Sequence, residues 1–215
     1  MGLFEPFEKA AYDRGFSGVV GVDEVGRGPL AGPVVAAACF VDRAVFTGER
    51  AGWTARVNDS KKLSEAVRNA IFDEAVKSPF VRYGVGFASA DEIDEINILQ
   101  ASLLAMNRAI DALILTGVGV DYLLIDGNRG PKNELQQQMV VKGDARCFSI
   151  ALASVIAKVL RDAEMDRWHQ KRPEYGFNRH KGYGTRLHLD ALGEHGILSG
   201  FHRRSFAPIY ALDSR

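Results

Sequence analysis

The sequence predicts an α/β domain, and three observations carry that expectation. Residues 18 to 25, 34 to 41 and 81 to 88 are rich in β-branched and aromatic side chains, and Val81, Tyr83, Val85 and Phe87 alternate as in a half-buried strand. Apolar residues recur at helical spacing after Ser64 (Val67, Ile71, Ala75) and after Ser89 (Leu99, Leu103, Met106, Ile110, Leu113), the second run ending at Gly117. Strands and helices therefore alternate along one chain, the pattern of a sheet with helices packed on it.

The elements follow in order. Three strands come early, separated by a helix after Ser64. A second helix opens at Ser89, where Glu92 completes a capping-box pattern. "YLLID", residues 122 to 126, has the length and composition of a buried strand, and "QMVVKGD", 138 to 144, supplies another. "SIALASVIAKVLRDAEMDRWHQ" is helical until Pro173 stops it, and a last helix runs from Thr185 to about Glu194 with Gly196 just beyond. No repeat, low-complexity segment or Pro/Gly/Ser linker divides the chain.

Length and composition agree with one domain: 215 residues, 47% of them hydrophobic, are enough to bury a substantial core. Two distant cysteines, Cys39 and Cys147, support neither a disulfide framework nor a cysteine zinc site, so a reducing compartment is expected. The N-terminal "MGLFEPFEKAAYDRGF" lacks the basic-then-apolar order of a leader, and no apolar run is long enough to span a bilayer. The expectation is a cytoplasmic protein with no membrane partner.

Charge is balanced overall, 27 basic against 27 acidic side chains, but unevenly distributed. From Arg167 to Arg204 there are eight Lys or Arg against three acids, together with all five histidines and Trp168, Tyr175, Phe177, Tyr183 and Phe201. Basic side chains mixed with aromatics suit phosphate contacts and packing against sugars or bases. An ordinary solvated basic surface has the same composition, so the motifs must decide.

The acids are more specific. Asp23 and Glu24 follow "VVGV", Asp126 follows "YLLI" and Asp144 follows "MVVKG". A carboxylate at the end of an apolar strand loses solvation unless a cation balances it, and ligand sites of open α/β sheets lie where strands end. Oxygen-only ligands of this kind select hard cations, Mg²⁺ or Mn²⁺, which also bind substrate phosphate. The glycines of "GRG", Gly26 and Gly28, would let a nucleic-acid backbone come close to Arg27 and main-chain N–H groups. Because neighbouring strand residues point to opposite faces, Glu24 reaches such a site either through its carbonyl or by serving a second ion.

Rival readings of these residues exist. Gly26, Gly28 and Ala31 satisfy G-x-G-x-x-G/A, the dinucleotide fingerprint, although Pro29 and Gly32-Pro33 interrupt the helix that should follow and Asp42 is a poor ribose-binding acid. In another reading Gly and Pro make only a hairpin and the acids are surface charges. A nucleic-acid-binding module without catalysis would need the basic third but not the acids.

The ordered motifs "GVDEVGRGPLAGPVVAAA", "NDSKKLS", "INILQASLLAM", "LLIDGN", "KGD", "SIALASVIAKVLRD", "HKGYGT" and "HRRSF" resemble the ribonuclease HII family, the bacterial type 2 ribonucleases H, from about Gly18 to Phe206. The resemblance implies a ribonuclease H-like fold, a central mixed β-sheet flanked by helices, with a core of about 18 to 165 and a basic helical C-terminal extension of about 166 to 215 in one catalytic domain. It implies an endonuclease, expected as a monomer, that cleaves the RNA strand of RNA/DNA hybrids and nicks duplex DNA 5′ of an embedded ribonucleotide. Asp23, Glu24, Asp126 and Asp144 match the four catalytic, metal-holding carboxylates, expected to bind two Mn²⁺ or Mg²⁺. Gly26, Arg27 and Gly28 match the loop set against the ribonucleotide, and Tyr183 matches the tyrosine that senses the RNA-to-DNA junction. Lys61 and Lys62 are candidate phosphate contacts. Asp162 of "VLRD" either supports the site or is an ordinary helix-surface acid beside Arg161, and stays outside the catalytic set; the irregularly spaced histidines, including His180 and His202, are expected to pack or hydrogen-bond rather than bind zinc. A related type, ribonuclease HIII, carries a longer N-terminal domain, and only 22 residues precede Asp23.

Overall fold

Five strands form one sheet in a computed structural model that describes residues 7–47 and 52–213; the first six residues of the N-terminal stretch discussed above lie outside them. The strands are β1 (Val19–Val25), β2 (Val34–Val41), β3 (Val81–Ala88), β4 (Tyr122–Asp126) and β5 (Gln136–Val140), in the order β3-β2-β1-β4-β5. β1 pairs antiparallel with β2 and parallel with β4, so the sheet is mixed, with β1 at its centre. The helices among the described residues are α1 (Phe7–Asp13), α2 (Ala44–Thr47), α3 (Glu65–Ala75), α4 (Ala90–Ile114), α5 (Phe148–Lys171), α6 (Phe177–His180), α7 (Arg186–His195) and α8 (Ala207–Asp213). None is long and apolar enough to cross a membrane.

The sheet is covered on both faces, which explains why its central strands read as continuous apolar runs rather than alternating ones. Val20, Val22, Ala36 and Ala38 pack towards α4, while Ala37, Cys39 and Val41 pack towards α5. Small residues permit a close approach. A Cβ at Gly21 would stand 2.2 Å from the Ser149 carbonyl carbon of α5, and one at Gly86 would stand 2.1 Å from the Ala105 oxygen of α4.

Three elements depart from expectation. The helix opened by the Ser89/Glu92 capping box bends at Asn97, whose backbone takes φ 67° and ψ 162°. The Asn97 Oδ1 then accepts from the N–H groups of Leu99 and Gln100, so the chain starts a second helical segment with its own cap. The strand expected through Asp144 ends at Val140; the chain turns at Lys142, φ 57°, into a 3₁₀ turn over Gly143–Ala145. α1 was not anticipated, and it supplies what α5 lacks. Cys147 at the start of α5 makes no side-chain cap, and buried Glu8 of α1 accepts instead from the Ser149 N–H at 2.8 Å and the Ser149 hydroxyl at 3.0 Å. Both cysteines are buried and free.

The C-terminal segment has its own small core of Leu30, Met165, Tyr175, Phe177, Leu192 and Phe201. Three buried histidines cross it, and their partners fix each tautomer. Leu198 N–H donates to His202 Nδ1, which leaves Nε2 of His202 as the donor to His188 Nε2 at 3.1 Å. His188 Nδ1 therefore carries a proton and donates to the Tyr183 carbonyl at 3.0 Å. His180 stacks on His188 with ring centroids 4.4 Å apart. All three imidazoles are neutral in this arrangement.

Burial pulls His188 down to about 4 and His202 down to about 3, with the neighbouring imidazoles adding to the effect. A histidine depressed below its unfolded value, near 6.5, contributes stability that is complete above that pH and lost as pH falls towards the folded value. Urea denaturation should therefore lose on the order of 3 kcal/mol between pH 7 and 4 from each of the two. Both ring resonances should stay in the neutral form until the protein unfolds; titration of either near pH 6.5 in the folded protein would refute the relay.

Candidate active site

Asp23 and Glu24 close β1 and Asp126 closes β4, each acid one residue or two beyond the Val22–Ile125 pair that joins the strands. Asp23 lies 5% exposed on the α5 face, beside Ala37. Its Oδ1 accepts the Glu24 N–H at 2.7 Å, and it takes a hydrogen bond from the Ser154 hydroxyl, which itself meets Ser60 at 2.8 Å. Burial first, then Glu24 and Asp126, push the Asp23 carboxyl well above the ordinary aspartate range, and these hydrogen bonds offset only part of it.

Glu24 points to the other face, as strand geometry requires, and is half-buried there. With Asp126, Leu99, Leu103, Met106 and Arg129 it lines a cavity of 230 Å³ under the second segment of α4. Burial raises its carboxyl, Arg27 at 3.3 Å opposes the rise, and Asp126 adds to it. Asp126 Oδ1 accepts the Gly143 N–H at 2.6 Å, which pins the 3₁₀ turn to the end of β4 and carries Asp144 towards the other acids. Asp144 is thus delivered by a turn rather than by a strand end. Burial, Asp126 and Asp59 raise its carboxyl, while Lys61 lowers it.

Lys61 completes the charge pattern. Burial disfavours its ammonium, but Asp23, Asp144, Asp59 and Asp126 outweigh that and hold it above the ordinary lysine value. Lys62 instead faces solvent, 3.8 Å from Asp59. Of the two readings of Asp162 the surface one fails: it is 6% exposed and pairs with Lys158 at 2.7 Å and Arg68 at 3.7 Å.

The residues after Glu24 form a loop from Gly26 to Pro33 that leads straight into antiparallel β2, with no helix. The dinucleotide reading fails here, because no helix N-terminus exists to receive a pyrophosphate. The hairpin reading holds for the backbone but not for the acids, since Asp23 is buried. Gly26 has φ +98°, which favours glycine, and a Cβ at Gly28 would lie 3.5 Å from the Tyr183 ring. Tyr183, 47% exposed, therefore stands directly beside the loop. His180 and His202 are buried in the C-terminal core, as expected of packing residues.

Several supporting residues escaped sequence reasoning. Ser60 and Ser154 hold Asp23, and Arg161 and Arg203, both 0% exposed, hold the loop. The only signal for Ser60 and Arg203 is their place in "NDSKKLS" and "HRRSF".

The donor set suits a hard divalent cation: oxygen-only, partly buried and mutually repelling. Among the described residues, no three His, Cys, Asp or Glu side chains already form a closed ligand group. Glu24 leans on Arg27 and Asp126 on Gly143, so side-chain rotation would be needed to close one.

Solved ribonuclease H structures share this architecture. The ribonuclease H2 from Pyrococcus horikoshii OT3 matches with TM-score 0.70 and 26% identity over 92% of this chain and 97% of that one. Bst-RNase HIII in complex with Mn²⁺ matches with TM-score 0.72 and 20% identity over 98% and 73%. The mixed sheet with acids gathered at the ends of its central strands thus defines a hydrolase of the ribonuclease H class. Within that class the chain belongs to the ribonuclease HII family, whose model, described as Ribonuclease HII, matches residues 20–209. The Ribonuclease HII of Chlamydia caviae is 50% identical over 94% of this chain and 90% of its own, and that of Vibrio parahaemolyticus is 48% identical over 95% and 90%.

The strain on Asp23 has a measurable consequence. Asn at position 23 keeps an acceptor for the Glu24 N–H and removes the charge. In EDTA at pH 8, Asp23→Asn should therefore be more stable than the parent by on the order of 1 kcal/mol. A urea midpoint that stays put or falls would mean that the neighbouring acids do not repel Asp23.

Proposed function

We propose that this ribonuclease H hydrolyses the RNA strand of RNA/DNA hybrids and also nicks duplex DNA on the 5′ side of single embedded ribonucleotides, leaving 5′-phosphate and 3′-hydroxyl ends. One observation carries the reading: the paired ends of β1 and β4 and the turn tied to Asp126 bring Asp23, Glu24, Asp126 and Asp144 together as an oxygen-only set, in which burial and neighbouring acids raise the carboxyls of Asp23, Glu24 and Asp144. Mn²⁺ is the ion named for the Bst-RNase HIII neighbour. Asp23, Glu24, Asp126 and Asp144 would hold two Mg²⁺ or Mn²⁺, which supply activation of a water and stabilisation of the leaving 3′ oxygen.

The remaining steps belong to the chain's own side chains. Ser154 and the Glu24 N–H hold Asp23, and the Gly143 N–H holds Asp126 by its Oδ1, so that a modest side-chain rotation brings both to an ion in the pocket. Lys61 balances the acids when the pocket is empty and meets a scissile phosphate when it is full. Arg27 is exposed and free to leave Glu24 for a phosphate, with Lys62 further out. The Gly26–Gly28 loop reads the 2′-hydroxyl that separates RNA from DNA, and Tyr183 senses the RNA-to-DNA junction through its hydroxyl. The reading carries with it a nucleic-acid partner, a monomer and a cytoplasmic setting.

The test is a duplex with one ribonucleotide, incubated with Mg²⁺, Mn²⁺ or EDTA. Cleavage should occur only with a divalent ion, at the bond 5′ of the ribonucleotide. Asp126→Asn should lose on the order of 10³-fold or more in rate while remaining folded; near-normal cleavage with Mg²⁺ would remove Asp126 from the pocket's chemistry. Tyr183→Phe keeps the ring and loses the hydroxyl, and should cut the single-ribonucleotide duplex roughly tenfold less well relative to a uniform hybrid. An unchanged ratio would take junction sensing away from the hydroxyl.

A further inference from the structure

We propose that Arg203 and Arg161 are positioning residues that aim the main-chain donors of the Gly26–Gly28 loop at the nucleic acid; the inference rests on the function proposed above. Both guanidinium groups are fully buried, and among the described residues neither forms an ion pair. Their donors go to backbone carbonyls instead. Arg203 Nη2 donates to Gly26 O at 2.6 Å and to Gly32 O at 2.8 Å, its Nη1 to Arg27 O at 3.1 Å and its Nε to Gly32 O at 3.0 Å. Arg161 donates to Pro33 O at 3.1 Å, to Ala31 O at 3.1 Å and to Lys181 O at 2.9 Å.

Burying an unpaired charge is expensive, so a fold that keeps two such charges side by side needs what they hold. They hold both ends of one loop, and Arg161 ties that loop to the segment bearing Tyr183. Peptide geometry then sets the direction of the donors. In a trans peptide the C=O of one residue and the N–H of the next point opposite ways. With the carbonyls of Gly26 and Arg27 drawn inward to Arg203, the N–H groups of Arg27 and Gly28 face away from it. Tyr183 borders the same loop at Gly28. The glycine at 26 is demanded by the same contact, since a Cβ there would stand 2.2 Å from Arg161 Nε. Two buried positive charges beneath the loop also favour an anion on its outer side.

A planar fork makes four bonds from three separated nitrogens to three carbonyls; an ammonium concentrates its three donors on one nitrogen and cannot keep that spread. Arg203→Lys therefore keeps the buried charge and breaks the aim. It should raise KM for the single-ribonucleotide duplex at least tenfold, while the rise in Tm on adding MnCl₂ matches the parent's. In EDTA, titration with the same duplex should shift the Arg27 and Gly28 amide resonances in the parent and leave them unmoved in the variant. Equal KM and equal amide shifts in the two proteins would overturn the proposal, and so would loss of the Mn²⁺-induced stabilisation, which would make the clamp a support for the whole pocket. Should Arg203→Lys fail to fold, Arg161→Lys asks the same question of the other half of the clamp. If neither folds, the arginines serve the fold and the proposal falls. A parent protein that does not cleave a hybrid with Mn²⁺ sinks the proposed function instead, a result separate from either variant's behaviour.

Discussion

The close seat of α5 on β1 is the constraint from which the rest of the site follows. Gly21 lets the helix backbone touch the strand, and the small residues of β2 let α4 close from the other side. The end of β1 is therefore roofed on both faces just where two acids are placed. Asp23 falls under α5, out of water and within reach of Ser154; Glu24 falls under α4. Were the helices further away, the same carboxylates would be hydrated, unshifted and indifferent to a cation. Proximity of helix to strand thus converts ordinary acidic residues into a pocket with a standing demand for positive charge.

Much of this was legible in the sequence, and the physical reason is burial on two sides. Strands covered by helices on both faces must be apolar throughout, so 34 to 41 and 122 to 126 stand out with the bounds the structure has, while 81 to 88, at the sheet edge, stands out by alternation instead. The acids stand out because they end those runs. The bend at Asn97 was not legible, since helical spacing continues on either side of it and one asparagine accepting from Leu99 and Gln100 leaves no periodic trace. The early end of β5 was hidden for a related reason: the Gly143 N–H serves a side chain, Asp126, rather than a strand, and such a choice depends on a partner 17 residues away. Asp162 stayed undecided because a helix acid beside an arginine looks solvated until α3 is set against it and Arg68 arrives.

The C-terminal segment matters less as a basic surface than as a frame. Its histidine relay terminates on the Tyr183 carbonyl, and its Arg203 terminates on the loop after Glu24, so two different kinds of polar chain, one neutral and one charged, end on the same rim. Composition alone suggests phosphate contact for this whole region. The structure spends much of that polarity inward, on carbonyls, and leaves a few exposed groups to meet a substrate.

The cap that α1 lends to α5 has a further bearing on how the molecule comes into being. Glu8 and its partner Ser149 stand 141 positions apart, and the central strand β1 must wait for β4 before its second edge is covered. Contacts of such span close slowly, because the intervening chain has to be gathered before any of them is rewarded. An emerging polypeptide would thus hold its most hydrophobic strands half-covered until α5 leaves the ribosome. The charged helix α1 is a latch that can fasten only once α5 exists to receive it.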